Sequence, residues 1–282
     1  MRLISKTALL LAAMASSAFV MADESYNGPK DGAIGFQESA SPVMNELIKF
    51  HDGFVFPIIV VITLFVMGLM AYIMIRFNEK ANPVPSKTTH HVGLEIAWTI
   101  VPVLILIAMV GPSMKLLYMQ DRLPETEMTI KVTGNTWYWT YEYPEIEDQV
   151  SGFDSLILEK EDAKAAGKPY LLGTDAPLVV PVNTKVKVLV TSNNNLHAFA
   201  VPAFGVKMDA VPGRLNETWF EVLREGTFYG QCSELCGIKH AYMPIEVKVV
   251  SKSAYNKWVA NGGAFSTSVA QVGSLSTPAS PK

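Results

Sequence analysis

The sequence of 282 residues is poor in charge and in cysteine. Charged residues make up 17% of it, whereas soluble globular chains carry about 25%. With 49% hydrophobic residues, this balance excludes a disordered chain and indicates that part of the protein lies in lipid. The 23 basic and 26 acidic residues leave no positive excess of the kind that nucleic-acid-binding domains carry. Two cysteines cannot build a disulfide-rich scaffold, but they are compatible with one disulfide or one metal site.

The first 22 residues have the pattern of a secretory signal peptide. Arg2 and Lys6 precede an apolar run over 8–20, and small residues end at Ala22. A basic start, a short apolar core and a small-residue ending are the three parts of such a signal. We expect cleavage after Ala22, which leaves an exported segment over 23–52. The alternative is an uncleaved N-terminal helix.

Two further segments are long enough to cross a bilayer. Residues 53–75 and 96–114 contain no charged side chain, and a spanning helix needs about 20 apolar residues. Neither segment shows the polar stripe of a soluble helix. We therefore predict transmembrane helices over 53–75 and 96–117.

The loop that joins the two predicted spans, over 76–95, sets their orientation. It holds three basic residues, Arg76, Lys80 and Lys87, and two acids, Glu79 and Glu95. Positively charged loops stay in the cytoplasm. Both termini then lie on the outer side, in agreement with the signal peptide.

The composition changes after the second span. Short alternating or β-branched runs, separated by Gly, Pro and Asn clusters, are typical of an all-β sandwich or barrel. We predict such a domain over 126–252, a short helix over 253–261 and a disordered tail over 262–282, which is mostly small or polar. The predicted strands are Met128–Val132, Trp137–Tyr143, Leu178–Val182, Val186–Thr191, Thr218–Glu221 and Pro244–Val250.

One loop contains several residues that bind soft metals. Four kinds of site are compatible with them, and these differ in how many of the residues each would use. Cys232, Cys236, His240 and Met243 lie in this loop, and His197 lies upstream. A disulfide suits an oxidising exterior but leaves the histidines and the methionine unused. Structural zinc would use both cysteines and both histidines without Met243, and a mononuclear blue-copper site would leave one cysteine over. A dinuclear copper centre uses every ligand: two bridging thiolates, one imidazole for each ion, and a thioether and a backbone carbonyl as weak ligands.

These residues resemble the metal-binding loop of the cytochrome c oxidase subunit II family. The loop over 232–243 follows the pattern Cys-Ser-Glu-Leu-Cys-Gly-x-x-His-x-x-Met, and the likeness extends over about 50–250. The resemblance implies a two-helix transmembrane hairpin followed by an all-β, cupredoxin-like sandwich or barrel that carries a CuA centre. Further similar stretches are Phe50-His51-Asp52, Glu95-Ile96-Ala97-Trp98-Thr99, the aromatic run from Trp137 to Tyr143, His197 to Pro202 and Asp209 to Asn216.

The resemblance also implies the metals and their ligands. The cofactors would be a pair of copper ions and a magnesium ion shared with oxidase subunit I. Glu234 would bind copper through its backbone carbonyl and magnesium through its carboxylate; the alternative is an exposed loop acid. The side chains that would bind copper are those of His197, Cys232, Cys236, His240 and Met243.

Roles in electron and proton transfer follow from the same resemblance. Trp137 would be the electron entry point from cytochrome c, with a place in the sandwich core as the alternative. Glu95 would mark a proton entry into the catalytic subunit, with an interfacial acid as the alternative. Acids after the aromatic run would suit a basic partner, because opposite surface charge raises encounter rates; the alternative is a solvated edge. They are Glu142, Glu145, Glu147 and Asp148.

The resemblance implies a subunit of a bacterial haem–copper oxidase in the plasma membrane, with the CuA domain and both termini on the periplasmic side. It would accept electrons from cytochrome c and pass them to haem in subunit I, where oxygen is reduced to water and protons are pumped. Other oxidase subunits and the lipid bilayer would be further partners, and nucleic acid would not. Two rival functions are a copper-free subunit II of a quinol oxidase and a membrane-tethered copper-delivery module. The intact ligand set argues against the first, and the spans, Glu95 and the aromatic run argue against the second. The sequence departs from the family pattern at Thr136, where relatives often have Gln, and at Asn194, where many have an acid.

Overall fold

The computed structural model describes residues 26–264, so the predicted signal peptide and residues 265–282 of the predicted tail lie outside the described residues. Two long helical stretches come first. Helix α1 (Pro42–Phe50) continues through a π-helical turn (His51–Val55) into α2 (Phe56–Arg76), and α3 spans Val92–Asp121. Within the described residues, neither α2 nor α3 buries a side chain. Their apolar surfaces are therefore available to lipid.

Both helical stretches are longer than the apolar runs that predicted them. The first begins at Pro42, because the Ser41 hydroxyl accepts a bond from the Met44 N–H at 3.0 Å and proline suits the first helical position. The second begins at Val92, where His91 caps the helix. At 1.5 Å per residue, the 30 residues of α3 span about 45 Å, more than the ~30 Å hydrocarbon core of a bilayer. The helices therefore continue beyond the membrane.

A two-sheet sandwich follows the helices. Its strands are β1 Tyr26–Asn27, β2 Met128–Asn135, β3 Tyr138–Glu142, β4 Phe153–Ser155, β5 Leu178–Pro181, β6 Lys185–Ser192, β7 His197–Val201, β8 Val206–Ala210, β9 Asn216–Glu221, β10 Gly226–Cys232 and β11 Pro244–Val250. One sheet has the order β5-β11-β10-β7-β8, with the short strand β1 beside β10, and the other has the order β4-β3-β2-β6-β9. A short helix, α4 (Lys160–Ala165), lies between β4 and β5, and a last helix, α5 (Lys252–Ala260), follows β11.

The core lies between the two sheets. Along β6, buried and half-buried residues alternate, as expected for a strand with one face in the core. The Trp139 ring meets the Phe199 ring edge-on at 5.8 Å and joins the two sheets. Two apolar helices followed by an all-β domain confirm the predicted fold class.

Strand β10 was not predicted from the sequence, and its glycines explain why. A Cβ atom at Gly230 would lie 1.9 Å from the Ala200 carbonyl oxygen, so the residue must be glycine for β7 to approach. Strand β7 was missed because it is buried on both faces except at Ala200, which removes the alternation of a half-exposed strand. The candidate site lies where β7 begins, at His197, and where β10 ends, at Cys232.

A short N-terminal arm joins the helices to the sandwich. The Ala40 N–H donates to the Ala203 carbonyl at 2.8 Å, and the Leu223 N–H donates to the Ala40 carbonyl at 2.9 Å. The Ser41 hydroxyl donates to the Phe204 carbonyl at 2.7 Å. Because this arm continues directly into α1, it fixes the β domain against the helical hairpin.

Candidate metal centre

The predicted ligands come from two neighbouring strands and the loop after the second one. His197 begins β7, Cys232 ends β10, and Cys236 lies in the following loop. His240 begins a single 3₁₀ turn, and Met243 directly precedes β11. The strands β7 and β10 pair with Cys232 opposite Phe199, so the fold brings residues 35 positions apart to one end of the sandwich.

The two cysteines are free thiols, and each lies beside its own imidazole. Their Sγ atoms are 3.8 Å apart. Cys232 Sγ lies 3.8 Å from His197 Nδ1, and Cys236 Sγ lies 3.4 Å from His240 Nδ1. The ligand atoms of His197, Cys232 and Cys236 all lie within 4.8 Å of one another. The site therefore consists of two thiol–imidazole pairs that adjoin each other through the cysteines.

Burial favours the neutral forms of Cys236 and His197. His197, Cys232, Cys236 and Met243 are buried. Burial, and then the neighbouring Cys232, raise the pKa of Cys236 to about 12. Burial, and then the charge of His240, lower the pKa of His197. At neutral pH the metal-free site therefore holds a thiol at Cys236, and a cation that binds there must displace its proton.

The donor set fits a soft or borderline metal. Thiolates, imidazoles and a thioether suit copper, and thiolates with imidazoles also suit zinc. A further oxygen donor lies within the loop, because the Glu234 carbonyl oxygen is 3.4 Å from Cys232 Sγ. The Glu234 side chain is half-buried. Two thiols, two imidazoles and a carbonyl lie at one place, which is more donors than one tetrahedral ion needs. The buried Met243 is joined to this place through its backbone carbonyl, which accepts a bond from the Cys232 N–H.

Contacts behind the ligands orient them. His197 Nε2 donates to Asn194 Oδ1 at 3.1 Å, and the Asn195 N–H donates to the same oxygen at 2.9 Å. Because Nε2 is used in this bond, Nδ1 is the nitrogen left facing Cys232. Gly134 leaves room for the ring, since a Cβ there would lie 2.9 Å from it. Sequence reasoning missed the roles of Asn194 and Gly134, although the asparagine run just before a candidate ligand was a signal.

Trp137 lies against the cysteine loop. Its indole Nε1 donates to the Cys236 carbonyl at 3.1 Å, and its side chain is half-buried. At Gly237 the backbone φ is +115°, and a Cβ would lie 3.2 Å from the indole Cζ2. Glycine there both permits this backbone conformation and leaves space for the ring. Trp139, in contrast, is fully buried in the core.

The four predicted docking acids lie at the other end of β3 from Trp137. Glu142 lies five positions after Trp137 along the strand, which corresponds to about 17 Å. Glu142 pairs with Lys131 at 2.7 Å, and Glu145 accepts a bond from the Thr129 N–H at 3.0 Å. Glu145, Glu147 and Asp148 are exposed. A standard interface covers about 800 Å² on each partner, so one docked protein could contact both Trp137 and Glu142.

Glu95 lies apart from the metal site, in the first turn of α3. Its carboxylate accepts a bond from the His91 N–H at 3.2 Å. A negative charge at the start of a helix also interacts favourably with the helix dipole. The structure therefore gives Glu95 a local role in starting α3.

Fold and site together define a membrane-bound protein with a helical hairpin and a cupredoxin-like domain that carries a thiol–imidazole cluster suited to a metal ion. The family model for the cytochrome c oxidase subunit II periplasmic domain matches residues 128–250. The model for the transmembrane domain of the same subunit matches residues 29–116.

Two relatives named as this subunit agree with these matches. Cytochrome c oxidase subunit 2 of Cereibacter sphaeroides is 48% identical over 92% of this chain and 90% of its own length. A probable cytochrome c oxidase subunit 2 of Rickettsia bellii is 46% identical over 87% of this chain and 88% of its own. The solved periplasmic domain of subunit II of cytochrome oxidase from Bradyrhizobium japonicum is 49% identical, with a TM-score of 0.46 over 50% of this chain and 97% of that one. The chain belongs to the cytochrome c oxidase subunit II family, as its loop suggested, and is thus a subunit of a cytochrome c oxidase, an oxidoreductase complex.

Proposed function

We propose that the cysteine loop holds a dinuclear CuA centre that takes electrons from cytochrome c and passes them to haem in subunit I, where oxygen is reduced to water and protons are pumped. The observation that carries the proposal is the pair of free thiols 3.8 Å apart, each beside its own imidazole. His197, Cys232, Cys236, His240 and Met243 would hold the metals through side chains, and Glu234 through its carbonyl. When bound, the copper pair supplies a one-electron redox centre.

The protein's own residues supply a rigid, dry site around that centre. His197 and Cys232 are buried on paired strands and would stay in place when charge arrives, which keeps rearrangement small. The hydrogen bond from Trp137 to the Cys236 carbonyl links a partly exposed aromatic ring directly to a ligand residue. Trp137 is therefore the proposed entry point for electrons.

Partner subunits would meet the loop and the helices. Leu235 and Ile238 are 78% and 86% exposed in the loop itself, and exposed apolar side chains grouped together mark interaction sites. We assign this apolar tip to contact with subunit I, where the Glu234 carboxylate would reach a shared magnesium ion. Glu142, Glu145, Glu147 and Asp148 would attract a basic cytochrome c.

The proposed orientation places the β domain and both termini on the periplasmic side of a bacterial plasma membrane. It rests on the basic loop over 76–95 and the signal-like N-terminus. Glu95, at the start of α3, then lies near the cytoplasmic surface, where it would mark a proton entry. Ionisable groups at membrane boundaries are often functional.

Electron paramagnetic resonance on the copper-loaded full-length chain in detergent tests the copper pair. Two equivalent copper nuclei sharing one unpaired electron give a seven-line hyperfine pattern, and a copper-to-chain ratio of two should accompany it. A four-line pattern with one copper would overturn the dinuclear centre. Electron uptake from reduced cytochrome c then separates an electron-transfer subunit from a copper-delivery module, which would bind copper without accepting electrons.

A further inference from the structure

Three consecutive asparagines and Leu196 separate β6 from the proposed ligand His197, and each asparagine side chain has a hydrogen bond toward the site. Asn193 Nδ2 donates to Asn135 Oδ1 at 2.8 Å. Asn194 Oδ1 accepts from His197 Nε2 at 3.1 Å, and Asn195 Nδ2 donates to the Cys236 carbonyl at 2.7 Å. All three residues are exposed. Asparagine is common in turns, but a turn does not require contacts to two separate segments.

The Cys236 carbonyl is where these contacts meet. It accepts one bond from Asn195 and one from Trp137 Nε1, at 2.7 Å and 3.1 Å. A carbonyl oxygen has two lone pairs, so both are used. The same residue contributes a ligand thiol. One peptide group therefore joins the asparagine segment, the proposed entry tryptophan and the metal loop.

The segment also holds the hairpin that carries Trp137. The Asn193 N–H donates to the Gly134 carbonyl at 3.1 Å, in addition to its side-chain bond to Asn135. Asn135 in turn donates to Thr140 Oγ1 at 2.9 Å. Asn135 precedes the turn at Trp137 and Thr140 follows it, so the turn is braced at its base by the same asparagine segment.

We propose that Asn193–Asn195 is a positioning element that fixes Trp137 and the Cys236 peptide relative to each other. Asn195 makes the most important of its contacts, the hydrogen bond to the Cys236 carbonyl. The inference rests on the proposed function, because it concerns how the electron entry point is held against the copper ligands. Asn195 ties the strand that supplies His197 to the loop that supplies Cys236 without using the metal. Preorganised ligands bind metal more tightly, and outer contacts of this kind change affinity or activity by about 10–100-fold.

The decisive variant is Asn195→Val, which removes the donor while keeping a similar volume. Because Asn195 is exposed, the core stays intact. The matched control is Asn78→Val, since Asn78 Nδ2 makes the same kind of bond, to the Ile75 carbonyl at 2.8 Å, in the loop between the helices. Asn195→Asp is a second variant; it places a carboxylate oxygen against the Cys236 carbonyl and should be at least as disruptive.

The first measurement needs no metal. Amide hydrogen exchange of residues 233–239 in the metal-free full-length chain should become about 10-fold faster in Asn195→Val, because a local tie has been lost, and should not change in Asn78→Val. Trp137→Phe, which removes the other donor, should show coupling: the double variant should depart from the sum of the single effects, since both act on one carbonyl. Unchanged exchange in both Asn195 variants, or strictly additive effects, would overturn the proposal.

The second measurement uses the copper-loaded full-length chain. Copper loss to a chelator should be about 10-fold faster in Asn195→Val, and electron uptake from cytochrome c should fall at full copper occupancy. Equal loss rates in wild type and variant would overturn the proposal. If the wild type lacks the seven-line signal, the proposed function fails, whereas the exchange result in the metal-free chain still decides whether Asn195 positions the loop.

Discussion

The backbone N–H of Cys232 donates to the backbone carbonyl of Met243 at 3.0 Å, so the first and last predicted ligands of the loop are neighbours. Strands β10 and β11 pair directly beside them, with Gln231 opposite Pro244. The sheet therefore closes the base of the loop through backbone hydrogen bonds alone. Backbone pairing of β10 and β11 therefore helps to hold the loop in this shape, in addition to any bound metal.

Met243→Leu should leave the fold and the copper pair in place. Leucine keeps the buried volume, and the bond to Cys232 uses only the Met243 backbone, so the free energy of unfolding should change by less than about 1.5 kcal/mol. A thioether is a weak ligand that tunes potential, so the reduction potential should shift while the seven-line signal persists. Cys232→Ser is the contrast and should abolish the signal. Equal copper loss in both variants would refute the weak-ligand role.

The metal-free chain should lose stability in alkali through Cys236. Its pKa is raised from 9.0 to about 12, so the folded state keeps a proton that the unfolded chain releases. This contribution is complete below about pH 9 and is lost as the pH rises toward 12. The melting temperature of Cys236→Ser should therefore fall less between pH 8 and about pH 10 than that of the metal-free wild type. Parallel curves for the two proteins would contradict this role.

Glu95→Gln separates the proposed proton entry from the helix start. Glutamine keeps an oxygen that can accept the His91 N–H, so α3 should begin as before. Loss of the ionisable group should slow turnover of the assembled oxidase while the copper spectrum stays unchanged. Normal turnover would reduce Glu95 to a residue that starts the helix. Circular dichroism of the variant checks that the helix content is retained.

The sequence predicts the spans and the ligand set because both depend on local pattern: uncharged runs of sufficient length, and a compact loop of sulfur and nitrogen donors. It does not predict β7, because that strand lacks the alternation of polar and apolar residues. It does not predict β10, because that strand contains Gly230 at a close backbone contact. The bond from Asn195 to Cys236 joins residues 41 positions apart and depends on the register of strands that no local pattern reveals.

The acidic residues after β3 should act on encounter and not on electron transfer itself. Their attraction is screened over about 8 Å at physiological salt. Neutralising Glu147 and Asp148, which are exposed, should raise the KM for a basic cytochrome c and flatten its salt dependence, with little change in maximal turnover. Glu217→Gln is the control, because Glu217 lies on β9, three strands from β3 in the same sheet. If the KM stays constant in the double variant, these acids have no docking role and form only a solvated edge of the domain.

Trp137→Gln should show the opposite kinetic behaviour. An indole has no net charge, so KM for cytochrome c should change little, whereas the rate of electron transfer should fall by orders of magnitude if electrons enter through this ring.

Trp137 is half-buried, and part of its contact is with the cysteine loop, so melting temperature and copper content have to be measured on the same variant. A stable, copper-replete and slow protein supports entry through Trp137. A protein that loses stability and copper together shows a structural role, and a stable, fast one refutes entry at this residue. Trp139→Gln provides the comparison, because Trp139 is fully buried in the core and its replacement should lower the melting temperature first.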